Sequence, residues 1–97
     1  MTILDVGAPV RQRPTTVPVA VYGHRWCGLT QMIARALGRA GVDFQYVDLD
    51  VHPEIEHRLR STLGHRLRTP LVYVGGDWYM APSLTELQNA LVRHGGW

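Results

Sequence analysis

Between Val17 and Leu49 the hydrophobic rhythm of the chain changes twice, and this pattern restricts the fold more than any other feature. Val17-Pro18-Val19-Ala20-Val21-Tyr22 is a short, mostly apolar run, as expected of a strand covered on both faces. Pro18 has no N–H to donate, which limits pairing at the start of that strand. After the loop Gly23-His24-Arg25-Trp26-Cys27-Gly28, apolar residues recur at Leu29, Met32, Ile33, Ala36, Leu37 and Ala40, the stripe of an amphipathic helix. Gly41 is expected to close that helix as a C-terminal cap. Phe44, Tyr46, Val47 and Leu49 then mark a second strand. A strand, helix and strand within about 30 residues predict a right-handed crossover and parallel pairing.

The second half has a different rhythm. Pro53 suits the first turn of a helix whose face is Ile55, Leu59 and Leu63, ending before Gly64. Pro70-Leu71-Val72-Tyr73-Val74 reads as a strand. Gly75-Gly76 is a two-residue hairpin signal, and Asp77-Trp78-Tyr79-Met80 returns antiparallel. Ser83 followed three residues later by Glu86 predicts a capping box at the start of a last helix, striped by Leu84, Leu87 and Leu91 and ended by Gly95-Gly96. The predicted order is βαβαββα, an α/β domain with a mixed sheet of four strands and three helices.

At 97 residues the chain has room for one core. We assign residues 17–97 to the folded domain. Residues 1–16, with Gly7, Pro9 and Pro14 but no sustained period, read as a flexible leader, with a short strand at Ile3–Val6 as the alternative. No apolar run approaches the roughly 18 residues of a spanning helix, so no membrane role is expected. The start of the chain does not have the order of a secretory signal, in which charge precedes an apolar stretch, and we expect a cytoplasmic protein. The ten basic residues are all arginine and are dispersed, leaving a net charge of only +2. Nucleic-acid binding would call for a dense basic face instead. His52, His57 and His65 are spaced by five and eight, which does not bring them to one helical face, and no metal site is expected there.

The single cysteine, Cys27, excludes an internal disulfide and carries the chemistry. It follows a strand and immediately precedes a helix, so free N–H groups and the positive end of the helix dipole point at its sulfur. Cysteine pKa values in such settings fall from about 8.5 to roughly 3.5–7.5. Gly28 opens the helix, Thr30 can offer its hydroxyl from the first turn, and Arg25 is expected to add a positive field. Arg25, Gly28 and Thr30 are therefore the expected stabilisers of the thiolate.

Val19-Ala20-Val21-Tyr22 followed by Trp26-Cys27-Gly28-Leu29-Thr30 resembles the active-site segment of glutaredoxins, and Arg68-Thr69-Pro70-Leu71-Val72 is similar to that family's Thr-Pro segment. With Pro82-Ser83 opening the last helix, the resemblance is nearest to the mycoredoxins, the actinobacterial glutaredoxin-like proteins. It covers roughly Val17 to Leu91. It implies a thioredoxin fold, a cis proline at Pro70 whose loop faces the reactive sulfur, and thiol–disulfide exchange. Where dithiol members carry a second, resolving cysteine this chain has Thr30, so the resemblance is to a monothiol variant. Cys27-Gly28-Leu29-Thr30 also departs from the Cys-Gly-Phe-Ser of the branch that carries iron–sulfur clusters.

The implied activity is reduction of mixed disulfides between client proteins and a low-molecular-weight thiol, with Cys27 as lone nucleophile and no tightly bound cofactor. Tyr22, His24, Trp26, Arg68, Thr69, Pro70, Ser83 and Leu84 are the expected substrate contacts. His24 stands where glutaredoxins often have lysine and is expected to act as a contact, and Trp26 to shield one side of the sulfur. Arg66 and Arg68 offer charge for an anionic group. Ala81-Pro82-Ser83-Leu84-Thr85 replaces the Gly-Gly and paired aspartates usual in glutathione binders, which leaves mycothiol, a sugar-containing thiol, beside glutathione as the expected partner. A monomer is expected. The alternatives are a dimer holding a 2Fe–2S cluster through Cys27, and a catalytically quiet redox adaptor.

Overall fold

The structure, a computed structural model, describes residues 17–94. The leader, with the alternative strand at Ile3–Val6, and the terminating Gly95-Gly96 lie outside the described residues. Strand β1 (Val19–Gly23) leads into helix α1 (Gly28–Arg39), strand β2 (Gln45–Asp48) and helix α2 (Pro53–Leu63). Strands β3 (Leu71–Val74) and β4 (Asp77–Met80) and helix α3 (Leu84–Arg93) follow. The four strands form one mixed sheet in the order β2-β1-β3-β4. The crossover pattern of the first half produces parallel β1–β2 pairing, while β3 pairs antiparallel with both β1 and β4. The βαβαββα order is the predicted one, and the arrangement is the thioredoxin fold that the resemblance implies.

Local signals explain where the elements stop. Gly41 takes φ +73 just past α1. Its N–H bonds Gly38 O at 3.2 Å and Val42 N–H bonds Leu37 O at 3.0 Å, a Schellman closure that also brings Val42 onto Leu37 in the core. Gly75 and Gly76, at φ +54 and +104, make the tight β3–β4 turn. At α3, Ser83 Oγ accepts from Glu86 N–H at 3.1 Å and Glu86 Oε1 accepts from Ser83 N–H at 2.8 Å, completing the capping box.

Alternation along the strands sorts the residues between two faces. Val19, Val21, Val72 and Val74 meet Ile33 and Leu37 of α1 and Leu87 and Leu91 of α3 in one closed core. The buried stripe of α1 is not centred where the periodicity put it. Thr30, Ile33 and Leu37 are its buried residues, while Met32 is 50% exposed and Ala40, at the helix cap, is exposed. The core approaches α1 from the side of Thr30, about one position around the helix from the stripe drawn through Met32. Helix α2, on the other face, buries no residue fully; Ile55, Leu59 and Leu63 are half-buried. Between them and Tyr22, Val47 and Trp78 of the sheet lies an open groove of about 380 Å³.

Candidate active site

All the segments that the sequence marked as chemical converge at one end of the sheet. The loop 24–27 leaves the C-terminal end of β1. Tyr22 pairs with Leu71 and Leu71 with Met80. Pro70, the start of β3 and the end of β4 are therefore neighbours at that same end. The Thr69–Pro70 peptide is cis, Pro70 is fully buried, and its carbonyl accepts from Ala81 N–H at 2.7 Å. Ala81, at φ +45, turns the chain into the capped N-terminus of α3.

Cys27 is the N-cap of α1, with extended backbone at φ −85 and ψ 121, and is half-buried. A tight turn sets it there, its N–H bonding His24 O at 3.0 Å. The sulfur thus stands before the unpaired amides of the first helical turn. Its pKa lies below the ordinary thiol value, chiefly because of the Thr30 N–H, then the Thr30 hydroxyl, with Leu29 N–H adding to them and burial opposing. Among the described residues Thr30 Oγ1 is the one buried side-chain polar atom with no conventional hydrogen-bond partner. Thr30 is only 2% exposed, so water does not relieve it either. The two observations are compatible: the hydroxyl makes no good bond to a neutral thiol, and ionisation of the sulfur creates the acceptor it lacks.

Thr30 reaches this position because residue 23 is glycine. A Cβ at Gly23 would lie 2.6 Å from Thr30 Oγ1 and 2.8 Å from its Cγ2. The Gly23 carbonyl, in turn, accepts from Leu49 N–H at 2.9 Å and from the Tyr46 hydroxyl at 3.4 Å. Tyr46, absent from the sequence-based site, has its phenol pKa raised by burial and by the charge of Asp48, with Asp50 and Cys27 acting in the same direction against Arg25.

The loop cations turn elsewhere than expected. Arg25 Nε lies 3.0 Å from Asp48 Oδ2, and the groups that lower the thiol are Thr30 and Leu29 rather than Arg25 or the Gly28 amide. An arginine so paired has little field left to give a sulfur. His24 Nδ1 is 2.8 Å from Asp50 Oδ1, with Glu56 Oε1 at 3.7 Å from Nε2. Trp26 is 74% exposed and stacks on the His24 ring at 5.0 Å, so it covers the imidazole. Tyr22 points to the α2 face, 5.8 Å from the Trp78 ring, because β1 alternation sends it opposite to Val21. Ser83 and Leu84 stand at the exposed start of α3, Thr69 is half-buried, and Arg66 and Arg68 are exposed.

Asp48, Asp50 and Glu56 were not foreseen, since nothing local marks an acidic residue more than 20 positions away as the partner of a loop cation. Gly23 did carry a signal: a glycine ending an apolar strand implies a close approach by another element.

Among the described residues no group of histidine, cysteine and acidic side chains is arranged to hold a metal ion. The fold and this helix-capping thiol define a protein of the thioredoxin-fold class. Residues 19–79, more than half of the chain, match the family Glutaredoxin, and the chain belongs to that family of thiol–disulfide oxidoreductases. Solved glutaredoxins superpose on it. The crystal structure of wheat glutaredoxin has a TM-score of 0.65 at 20% identity, covering 84% of this chain and 78% of the wheat one. Buckwheat glutaredoxin in complex with glutathione has a TM-score of 0.64 at 22% identity, covering 84% and 83%. No curated protein matches the chain significantly.

Proposed function

We propose that this protein is a monothiol oxidoreductase that frees client proteins from a bound small thiol. The Cys27 thiolate attacks the sulfur of the small thiol in a protein mixed disulfide. The protein sulfur leaves as a thiolate and takes up a proton, and the small thiol remains disulfide-bonded to Cys27. A second small-thiol thiolate attacks that adduct and departs as the oxidised small-molecule disulfide, regenerating the Cys27 thiolate. With one cysteine in the chain, no internal thiol competes for the adduct.

The observation that carries the reading is Thr30, a buried hydroxyl without a partner, next to a sulfur whose ionised form it favours. A cysteine kept only for packing would need no such neighbour. Solution of a buckwheat relative with glutathione supports a small thiol as partner. Thr69-Pro70 and the start of α3 at Ser83 and Leu84 receive that thiol in our reading, and Arg68 borders it. Glutathione and mycothiol are the two candidates. The protein works as a monomer in the cytoplasm.

The test exposes the protein to oxidised glutathione and oxidised mycothiol side by side and reads the intact mass. We expect one stoichiometric adduct, removed by excess reduced thiol and absent in Cys27→Ser, whose turnover of a thiolated protein falls to background. A wild-type chain that takes up neither thiol would sink the proposal.

A further inference from the structure

The loop before Cys27 contains two residues able to carry positive charge, His24 and Arg25, and acids from the β2–α2 side engage both. A carboxylate only accepts, so the Nδ1 of His24, 2.8 Å from Asp50 Oδ1, carries the proton and donates it. Nε2 faces Glu56 Oε1 at 3.7 Å. Arg25 is held by Asp48 at 3.0 Å, and the other oxygen of Glu56 accepts from Arg60 Nη2 at 3.0 Å. The cluster therefore consists of three carboxylates, two guanidiniums and one imidazole. Its charge sums to −1 with a neutral imidazole and to zero with a protonated one. The cluster adjoins the cysteine through the loop itself, since the Cys27 N–H donates to the His24 carbonyl at 3.0 Å. An anion approaching Cys27 from this side meets no unengaged cation on the loop.

We propose that Asp50 and Glu56 are specificity-determining residues: by engaging His24 they offset the positive character of the Cys27 loop and lower the preference of the site for anionic over uncharged disulfide partners. The inference deepens the thiol–disulfide reading and rests on it for the identity of the partners. Its electrostatic content stands by itself and can be measured separately.

Cys27 is the only cysteine in the sequence, so any thiol reagent reports on one sulfur. The full chain, D50N and D50N/E56Q are alkylated with iodoacetamide and with iodoacetate, which differ in charge, and adducts are counted by intact mass. The iodoacetate-to-iodoacetamide rate ratio cancels the ionisation of the thiol itself. Removing two carboxylates from the surroundings of the Cys27 loop should raise that ratio roughly threefold or more at low salt, with a smaller rise in D50N. At 0.5 M salt, where the Debye length is about 4 Å, the difference should shrink to less than about 1.5-fold. A ratio that moves by less than about 1.5-fold at low salt, or a shift that survives high salt, overturns the proposal. The same proteins treated with oxidised glutathione and with neutral 2-hydroxyethyl disulfide separate the two levels. A shifted alkylation ratio with no adduct from either disulfide keeps the charge selectivity and overturns the oxidoreductase reading.

Discussion

Against one face of the sheet, Ile33, Leu37, Leu87 and Leu91 are closed off from solvent, whereas α2 on the other face buries nothing fully and spans a groove of about 380 Å³. The electrostatics divide the same way. On the α1 side the sulfur is governed by dipoles, the Thr30 and Leu29 amides and a buried hydroxyl. On the α2 side the loop is governed by charges, partly exposed pairs between His24 and Asp50 and between Arg25 and Asp48. Buried dipoles in a close-packed region hold one geometry and are little affected by salt. Partly exposed ion pairs contribute little stability but set the local field, and salt weakens them. In the proposed mechanism the α1 side makes the nucleophile, and the α2 side tunes which charges approach it.

The packing half of this contrast is the easiest to break. Leu37 is fully buried, so Leu37→Ala should cost about 3 kcal/mol through lost transfer energy and a new cavity. Leu59 already borders open space, and Leu59→Ala should cost less than about 1 kcal/mol. Urea unfolding of the two variants compares them directly. Similar midpoints would show that α2 is as much a part of the core as α1.

Next in size is the contact that aims Thr30. Gly23→Ala places a methyl within 2.6 Å of Thr30 Oγ1, an overpacking expected to cost about 1–3 kcal/mol. In a Thr30→Ala background both close atoms are gone, and the same change should cost at least about 1 kcal/mol less. Strictly additive losses in the double-mutant cycle would remove Thr30 as the partner that requires glycine at 23.

This pair also shows what was legible before the structure. The order of elements, the Gly41 cap, the Gly75-Gly76 turn and the Ser83–Glu86 box could be read because each depends on residues a few positions apart. Cys27 at a helix start was equally local, and so was Thr30 three residues on. The partners of Arg25 and His24 were not, because Asp48 and Asp50 reach the loop only through β1–β2 pairing, across 23 and 26 positions. The stacking of Trp26 was hidden for the same reason: with His24 anchored by Asp50, the indole lies on its ring. Periodicity marked an apolar side of α1 but favoured Met32, a large residue left exposed, over Thr30, a polar one buried because it serves the sulfur.

The smallest expected effect sharpens the comparison most. Thr30→Val keeps the shape and removes the hydroxyl, the second of the influences that lower the Cys27 pKa. The pH midpoint of iodoacetamide alkylation should move upward toward the free-thiol value of about 8.5, and the move should be the same at low and high salt. Stability should respond in a pH-dependent way. A thiol whose pKa is depressed by folding adds stability that is complete above the unfolded value and is lost as pH falls through the folded one. Above about pH 8.5 the wild type should therefore gain over Thr30→Val. At acidic pH, where the sulfur is neutral in both, the valine variant should be equal or better, since it no longer buries an unpaired hydroxyl. A crossing of the two stability curves, unmoved by salt, is the signature of a dipole acting on a thiolate. Curves that shift with salt would mean that charges on the α2 side govern the nucleophile as well, and the division between the two sides would not hold.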